Sequence, residues 1–321
     1  MIKTISKHLD INRIEFIITW QCGGKCKHCQ IGDEINKPSS HKNVLSGYAA
    51  AAVKKLSAVF NITSVMTFGG EPLYYPYVTA AIHRAAAECG IETRQIITNG
   101  YFTNDAEKSR DAALTLADSG VNNLLLSVDA FHQEFIPIEP VRRFAQDLVD
   151  VKLPGVFLYP AWLVDEEYPN SYNTKTKEIL DMFSDIPIPA RRGTSGNTIS
   201  LDGHAARFLH EHYEEAEQYL IQARTSCSCA EPISVKSISI IPNGDIEICG
   251  VAIGNIYKED VLDIVARYNP YEHESMRVVV NSGVTGLLAY AKNKGIELDL
   301  PQYMNNCNVC SVVTKALRNI T

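Results

Sequence analysis

The sequence predicts an α/β fold built from parallel βα units. Short apolar segments rich in β-branched residues alternate with longer helical segments about six times along the first two thirds of the chain. Polar, chemically suggestive segments follow directly after several of the predicted strands. Such alternation favours a parallel sheet, and right-handed crossovers would curl it into a barrel or a doubly wound sheet. The length of 321 residues suits one large domain or a domain and a half.

Each predicted strand is a short run of apolar and β-branched residues. We place six strands at 11–18, 64–68, 93–98, 123–128, 156–164 and 186–190. Helices are predicted at 47–60, 76–89, 105–119, 140–151 and 174–183. Ser46 is the predicted N-cap of the first helix. Gly90 and Gly120 are predicted to end the second and third helices.

The last third of the chain has a different pattern. A charge-rich helical stretch covers about 202–224, and helices return at about 260–294 and at the end of the chain. Between them, apolar and polar residues alternate on both sides of Asn243-Gly244, which predicts a β-hairpin with an Asn-Gly turn. We therefore predict two domains, at residues 1–205 and 206–321.

Composition excludes several classes of partner. The net charge is −7 and the isoelectric point about 5.7, and no basic cluster stands out, so we expect no nucleic-acid partner. No apolar run approaches the ~20 residues that span a bilayer, and Met1–Asp10 lacks the apolar core of a signal peptide. We expect a cytoplasmic protein without a membrane partner. Its nine cysteines are then reduced, and clustered ones favour metal binding.

Three cysteines follow the first predicted strand: Cys22, Cys26 and Cys29. Three thiolates on one loop suit iron–sulfur or zinc chemistry. A structural zinc site needs four closed ligands, whereas a [4Fe-4S] cluster held by three cysteines leaves one iron open to an outside ligand. The alternatives are a zinc knuckle or three unrelated buried cysteines.

This spacing after a first strand resembles the radical S-adenosylmethionine (SAM) superfamily. One departure is His28, where the family usually has an aromatic residue. The resemblance implies a partial (β/α)6 TIM-like barrel and a [4Fe-4S] cluster whose open iron binds the amino and carboxylate groups of SAM. It also implies reductive cleavage of SAM to methionine and a 5′-deoxyadenosyl radical, which takes a hydrogen atom from the substrate. The electron would come from a flavodoxin- or ferredoxin-type donor.

The segment Gly69-Gly70-Glu71-Pro72 follows the second predicted strand. Two glycines let the backbone approach a ligand closely, and Glu71 adds a hydrogen-bond acceptor. The resemblance implies that Gly69, Gly70 and Glu71 receive the amino group of SAM. The alternative is a plain strand-to-helix loop.

Three further segments at strand ends offer polar side chains. Ser127 and Asp129 alternate on one face after the fourth strand, and the resemblance implies that they hold the ribose or the carboxylate of SAM. The alternative for this pair is a helix cap or turn. Asn99 is a weaker cofactor candidate, because its Asn-Gly pair also suits a turn. Arg191 or Arg192 could pair with the carboxylate of SAM or of a substrate, or both could be surface charges.

A second cysteine set lies in the last third: Cys227, Cys229, Cys249, Cys307 and Cys310. The hairpin and the following Ile-Gly-Asn-Ile resemble the start of a SPASM domain, but only two cysteines remain beyond it, as in the shortened Twitch form. The resemblance implies an auxiliary [4Fe-4S] cluster, with these ligands: Cys229, Cys249, Cys307 and Cys310. Cys227 is a near-equal alternative to Cys229, and the thiol left over is a spare or a hydrogen-atom donor. A zinc site is the competing hypothesis.

The other candidate ligands receive a structural interpretation. Cys89 lies at a predicted helix end and is assigned to the core. Solvated surface positions are predicted for four histidines: His132, His204, His210 and His212.

An auxiliary cluster in this family usually accompanies modification of a ribosomally made peptide by cross-linking, epimerisation or oxidation, and that is the first functional hypothesis. The first predicted strand begins about ten residues in, so we expect no N-terminal peptide-recognition module. A small-molecule substrate is therefore the alternative. A hypothesis of another class is an iron–sulfur electron carrier or redox sensor, although a carrier needs no SAM loop.

Overall fold

Five neighbouring parallel strands, here called the central strands, form most of the main sheet. The computed structural model describes residues 5–191, 197–214, 231–298 and 306–318. The central strands are β1 (Leu9–Ile17), β2 (Ser64–Phe68), β3 (Thr93–Thr98), β4 (Asn123–Leu126) and β5 (Val156–Leu158). Each of the first four pairs in parallel with the next one along the chain. The predicted α/β class with a parallel sheet is confirmed.

Two predicted strands differ from the structure. The stretch predicted as strand five divides into β5 and a separate β6 (Ala161–Trp162), which pairs with β7 (Asn197–Thr198) in a second, two-stranded sheet. The predicted sixth strand reduces to a single bridge between Leu158 and Ala190. Two prolines lie within 186–190, and proline has no N–H to donate to a strand ladder.

A hairpin from the last third of the chain extends the same sheet. Its strands are β8 (Val235–Ile240) and β9 (Asp245–Ile248), followed by β10 (Val251–Asn255). β8 pairs in parallel with β1, so the sheet order is β10-β9-β8-β1-β2-β3-β4-β5. The predicted Asn-Gly turn joins β8 to β9, with a φ of 88° at Gly244. The boundary at 205/206 stays a prediction, and the hairpin beyond it shares a sheet with the barrel strands.

Helices follow each of the central strands. They are α1 (Ser46–Ser57), α2 (Pro76–Glu88), α3 (Ala106–Asp118), the single-turn α4 (Ala130–Gln133), α5 (Ile138–Asp150) and α6 (Ser171–Asp181). Ser46 is the first helical residue rather than the N-cap, and its helix has no side-chain cap. By contrast, Asp105 accepts hydrogen bonds from two backbone N–H groups at the start of α3.

Shorter and longer helices complete the described part of the chain. They are α7 (Gly203–Phe208), α8 (His210–Glu214), α9 (Val261–Arg267), α10 (Glu274–Asn293) and α11 (Asn306–Arg318). Residues 215–224 of the predicted charged helix lie outside the described residues. No helix in the described ranges is long and apolar enough to cross a membrane.

The buried side chains fall into three apolar clusters, two of which lie between the sheet and its outer helices. The third joins the first cysteine loop to the C-terminal helices, since Cys26 and Phe131 share it with Leu287, Val309 and Cys310. Burial of apolar surface stabilises such a cluster by about 25 cal/mol per Å². Cys26 of the first cysteine set and Cys310 of the second thus belong to one core cluster.

Candidate active site

A cavity of about 660 Å³ opens at the carboxyl ends of the central strands. Barrel enzymes hold their active sites at this edge. Seven of the residues predicted from sequence line the cavity: Cys22, Cys26, Cys29, Gly69, Gly70, Asn99 and Ser127. They come from four segments that are far apart in the chain, so the parallel topology is what brings them together.

The glycine pair fits tightly against the start of the cysteine loop. Gly70 N donates to Thr19 O at 2.8 Å, and Glu71 N donates to Gln21 O at 2.7 Å. A Cβ on Gly69 would lie 2.7 Å from Thr19 O, and one on Gly70 would lie 2.0 Å from Gln21 O. The two glycines are therefore required by the approach of another backbone segment, in addition to any ligand.

The Cys22 sulfur lies among hydrogen-bond donors. Gly24 N donates to Cys22 Sγ at 3.3 Å, and Asn99 Nδ2 donates to the same sulfur at 3.6 Å. The Asn36 side chain holds the backbone of Cys22 through two hydrogen bonds of 3.0 Å. These contacts fix the position of the first cysteine.

All three cysteines of the loop have a raised pKa because they are buried. Burial raises the pKa of Cys22 to about 12, and it raises the pKa values of Cys26 and Cys29 as well. The thiolate is the form that binds metals. A metal centre here would therefore have to displace protons when it binds.

Helix α7 holds the far end of the cysteine loop. His204 N donates to Cys29 O at 2.9 Å, and His204 Nδ1 lies 3.3 Å from Cys26 O. Gly203 has a φ of 51°, and a Cβ there would lie 2.5 Å from Cys29 O. His204 also lines the cavity, so its predicted solvated position is wrong. The charged sequence around it gave no sign of this contact, which spans more than 170 residues.

Glu71 lies behind the cavity wall and is completely buried. Its carboxylate accepts hydrogen bonds from Leu73 N at 2.9 Å, Thr98 Oγ1 at 2.6 Å and Asn99 N at 2.9 Å. Burial raises the pKa of Glu71 to about 7, although these hydrogen bonds act in the opposite direction. The side chain thus ties the end of β2 to the end of β3. Its role toward SAM stays a prediction.

Asp129 caps helix α4 from a fully buried position. Its carboxylate accepts hydrogen bonds from three backbone N–H groups, those of Phe131, His132 and Ala161, at 2.9–3.0 Å. It also contacts His132 Nδ1 at 2.7 Å. Burial alone would raise the pKa of Asp129, but the charge and hydrogen bond of His132 outweigh it and lower the pKa to about 2. The structure shows the cap, and the SAM-binding role of Asp129 stays a prediction.

His132 is a cavity residue that the sequence analysis missed. Only 14% of its side chain is exposed, it lines the cavity, and its ring centroid lies 4.7 Å from that of His28. The predicted solvated position is therefore wrong for His132 too. Ligand atoms of His28, Asp129 and His132 lie within 4.8 Å of one another. Since N–H donors already occupy the Asp129 oxygens, we interpret the trio as a support for His132, in which Asp129 makes a hydrogen bond to its ring and His28 packs against it.

Arg191 is not among the residues that line the cavity. Its guanidinium lies 4.3 Å from the ring centroid of Phe157 and 3.4 Å from Asn123 Oδ1. Its pairing with a carboxylate of SAM or substrate stays a prediction, and Arg192 falls outside the described residues. His210 and His212 are partly buried rather than fully solvated. Cys89 is partly buried and packs against the first core cluster, as predicted.

Three cysteines of the second set meet at another cavity, of about 170 Å³. Cys249, Cys307 and Cys310 line it together with apolar side chains, among them Val251 and Met276. Cys227 and Cys229 lie outside the described residues.

The backbone at Cys249 is unusual. Cys249 and Gly250 form the two-residue turn between β9 and β10, in which Ile248 pairs with Val251. Their φ values are 49° and 74°. Such turns favour asparagine, aspartate or glycine, so a cysteine there points to a function for its thiol.

Comparison with known proteins agrees with this geometry. Residues 16–152 match the family model of the radical SAM superfamily. GTP 3′,8-cyclase of Moorella thermoacetica is 25% identical over 124 residues, which are 39% of this chain and 36% of the relative. GTP 3′,8-cyclase of Chlorobaculum tepidum is 26% identical over 137 residues, or 42% and 38% of the two chains. The matched part of this chain thus spans little more than a third of the length of these relatives.

A solved structure, native anSMEcpe with bound AdoMet, has the same fold. It is 13% identical to this chain, with a TM-score of 0.50 over 98% of this chain and all of the other. The family match runs from the last two residues of β1 to the end of α5, and it includes the first cysteine loop and the glycine pair. Residues 16–152 are therefore similar to the radical SAM superfamily domain.

Proposed function

We propose that the chain is a radical SAM enzyme whose reaction takes place in the 660 Å³ cavity. The observation that supports this most directly is that Cys22, Cys26 and Cys29 line that cavity together with Gly69 and Gly70. The family implies a [4Fe-4S] cluster and SAM. When bound, this pair supplies a 5′-deoxyadenosyl radical that takes a hydrogen atom from the substrate.

The residues present fit such a cluster. Three thiols on one loop, with a fourth ligand absent from that loop, match a cluster with one open iron. Two N–H donors already lie at Cys22 Sγ, and outer hydrogen bonds of this kind orient and tune metal ligands. The cavity volume falls within the roughly 300–1,000 Å³ of small-molecule sites.

In this proposal the backbone carbonyls of Gly69 and Gly70 bind the ammonium group of SAM, and Glu71 holds that loop in place from behind. Ser127 offers its hydroxyl to the ribose or the carboxylate. Asp129 fixes the position of His132 at the cavity wall. Arg191 remains a candidate for an anionic group of the substrate, because a guanidinium suits carboxylate geometry.

We further propose an auxiliary [4Fe-4S] cluster in a Twitch-like domain at residues 206–321. The support is the meeting of Cys249, Cys307 and Cys310 at one cavity. The fourth ligand would be Cys229, or Cys227 in its place, and the other thiol would be the candidate hydrogen-atom donor. A zinc ion is the competing occupant, since it also takes four thiolates.

Two substrate classes follow from different observations. The auxiliary cysteines favour modification of a ribosomally made peptide. The names of the relatives favour a small molecule, because GTP 3′,8-cyclases act on a nucleotide. Anaerobic incubation with GTP separates the classes. Loss of GTP in step with formation of 5′-deoxyadenosine would favour the small molecule, and intact GTP would favour the peptide.

Iron and sulfide analysis tests both cluster sites after anaerobic reconstitution. We expect about eight irons per chain in the unmodified protein and about four when Cys22, Cys26 and Cys29 are all alanine. A drop to near zero in that variant, with four irons in the unmodified protein, would contradict the auxiliary cluster. Iron–sulfur clusters that never cleave SAM would instead favour an electron carrier or redox sensor.

A further inference from the structure

Asn99 is held in one orientation beside the first cysteine. It is 6% exposed and lies at the end of β3. Its backbone N–H donates to Glu71 Oε2 at 2.9 Å, and its side-chain Oδ1 accepts a hydrogen bond from Tyr101 N at 2.8 Å. Because the amide oxygen faces an N–H donor, the amide nitrogen must face the other way. That nitrogen lies 3.6 Å from Cys22 Sγ.

We propose that Asn99 raises the reduction potential of the cluster at the first cysteine loop by donating a hydrogen bond to Cys22 Sγ. The inference rests on the proposed function, because it requires a cluster at Cys22, Cys26 and Cys29. It assigns Asn99 a redox-tuning role that is separate from binding SAM.

The direction follows from charge. Reduction adds one negative charge to the cluster and its thiolates, so a donor at a ligand sulfur stabilises the reduced state more than the oxidised state. Hydrogen bonds to the sulfurs are among the properties that set iron–sulfur potentials. The same donor lowers the pKa of Cys22, against the larger effect of burial. Gly24 N is the second donor to this sulfur, but only proline would remove this backbone N–H, and proline would also change the loop.

The support for Asn99 comes from neighbouring strand ends. Glu71, at the end of β2, fixes the backbone of Asn99, and the turn to Tyr101 fixes its side chain. A sulfur contact set by two independent constraints persists whether or not SAM is bound. A potential measured without SAM therefore isolates this contact from any contact between Asn99 and SAM.

The test is a redox titration of the reconstituted protein without SAM, with the reduced cluster followed by electron paramagnetic resonance. Every protein compared also carries substitutions of Cys249, Cys307 and Cys310, so that only the cluster at the first cysteine loop is observed. The variants are Asn99→Ala, Asn99→Asp and Asn99→Ser. Asn104→Ala is the matched control, because Asn104 is exposed and its amide donates to Tyr101 Oη rather than to a cysteine.

We expect the ratio of reduced to oxidised cluster at a fixed ambient potential to fall at least about threefold in Asn99→Ala. The one-electron relation of about 59 mV per tenfold converts this to about 28 mV. The ratio should fall further in Asn99→Asp, because this substitution places a carboxylate at the sulfur. Asn99→Ser keeps an acceptor for the turn but has no amide to reach Cys22, so it should resemble Asn99→Ala. Asn104→Ala should leave the potential unchanged.

Unchanged potentials in iron-replete Asn99→Ala and Asn99→Ser would overturn the tuning role and leave the proposed function intact. Loss of the cluster from both variants would also overturn it, because Asn99 would then be needed for cluster assembly. If the protein with the intact first cysteine loop binds no cluster, the proposed function and this inference both fail.

Discussion

Gly70 lies so close to Gln21 that a Cβ on the glycine would be 2.0 Å from the Gln21 carbonyl oxygen. The contact joins the end of β2 to the segment that leads into the first cysteine loop. Two backbone hydrogen bonds run beside it, from Gly70 to Thr19 and from Glu71 to Gln21. The glycine loop and the cysteine loop are thus one packed unit.

Substitution Gly70→Ala should lower the free energy of unfolding by about 3 kcal/mol, since a carbon at 2.0 Å from an oxygen forces the backbone to move. Urea denaturation of the protein without a cluster measures this. Gly47→Ala is the control, because Gly47 lies in α1 with nothing within 4 Å of its added Cβ. Gly47→Ala should stabilise the folded protein by up to about 1 kcal/mol. Equal effects of the two substitutions would contradict the packed contact.

Glu71 should make stability depend on pH near neutrality. Its folded pKa, about 7, lies above its ordinary value of 4.5, so its contribution is present below pH 4.5 and is lost as the pH rises through 7. At about 1.4 kcal/mol per pKa unit, the loss between these two pKa values amounts to about 3.5 kcal/mol. Relative to the unmodified protein, Glu71→Gln should gain about that much stability between pH 4.5 and pH 8. A constant difference over this range would show that burial does not control this carboxyl group.

Asp129 should make stability depend on pH in the direction opposite to that of Glu71. Its folded pKa of about 2 lies below the ordinary 3.8, so its contribution is present above pH 4 and is lost as the pH falls toward 2. Asp129→Asn should cost about 3 kcal/mol at pH 7, because it leaves buried N–H donors without a charged acceptor. The cost should shrink at pH 3. Asp105→Asn, at an exposed helix cap, is the control and should cost under about 1 kcal/mol at both pH values.

The sequence predicted the central part of the fold well. Strands β2 and β3 lie where predicted, because β2 is a short, mostly apolar run and β3 is a short segment rich in β-branched residues that ends at Asn99-Gly100. The predictions of Ser46 as an N-cap and of a sixth strand at 186–190 were wrong for local reasons. A serine next to a helix start need not be the cap, and Pro187 and Pro189 remove two strand donors.

Much of the candidate site was also readable from sequence. The cysteine loop, the glycine pair, Asn99 and Ser127 all follow strands, and a parallel sheet brings strand ends together. His132 and His204 were placed wrongly, because their surroundings depend on contacts with Asp129 and with the cysteine loop. The contact with Asp129 is only three residues away, so an aspartate cap followed by histidine at that spacing was a usable signal.

Cys249 should be replaceable without loss of stability but with loss of metal. Its φ of 49° is strained for cysteine and suits asparagine. Cys249→Asn should therefore raise the stability of the metal-free protein by about 0.5–1 kcal/mol and reduce reconstituted iron from about eight to about four. Cys89→Asn, outside both cysteine sets, should keep full iron. Full iron in Cys249→Asn would exclude this thiol as a ligand.

The proposal of radical SAM chemistry is tested most directly by chromatography of the products formed from SAM. Anaerobically reconstituted protein is incubated with SAM and dithionite, beside Cys26→Ala and Cys89→Ala. Our account predicts 5′-deoxyadenosine and methionine from the unmodified protein and from Cys89→Ala, and none from Cys26→Ala. Intact SAM after incubation with unmodified protein that holds its full iron would contradict it.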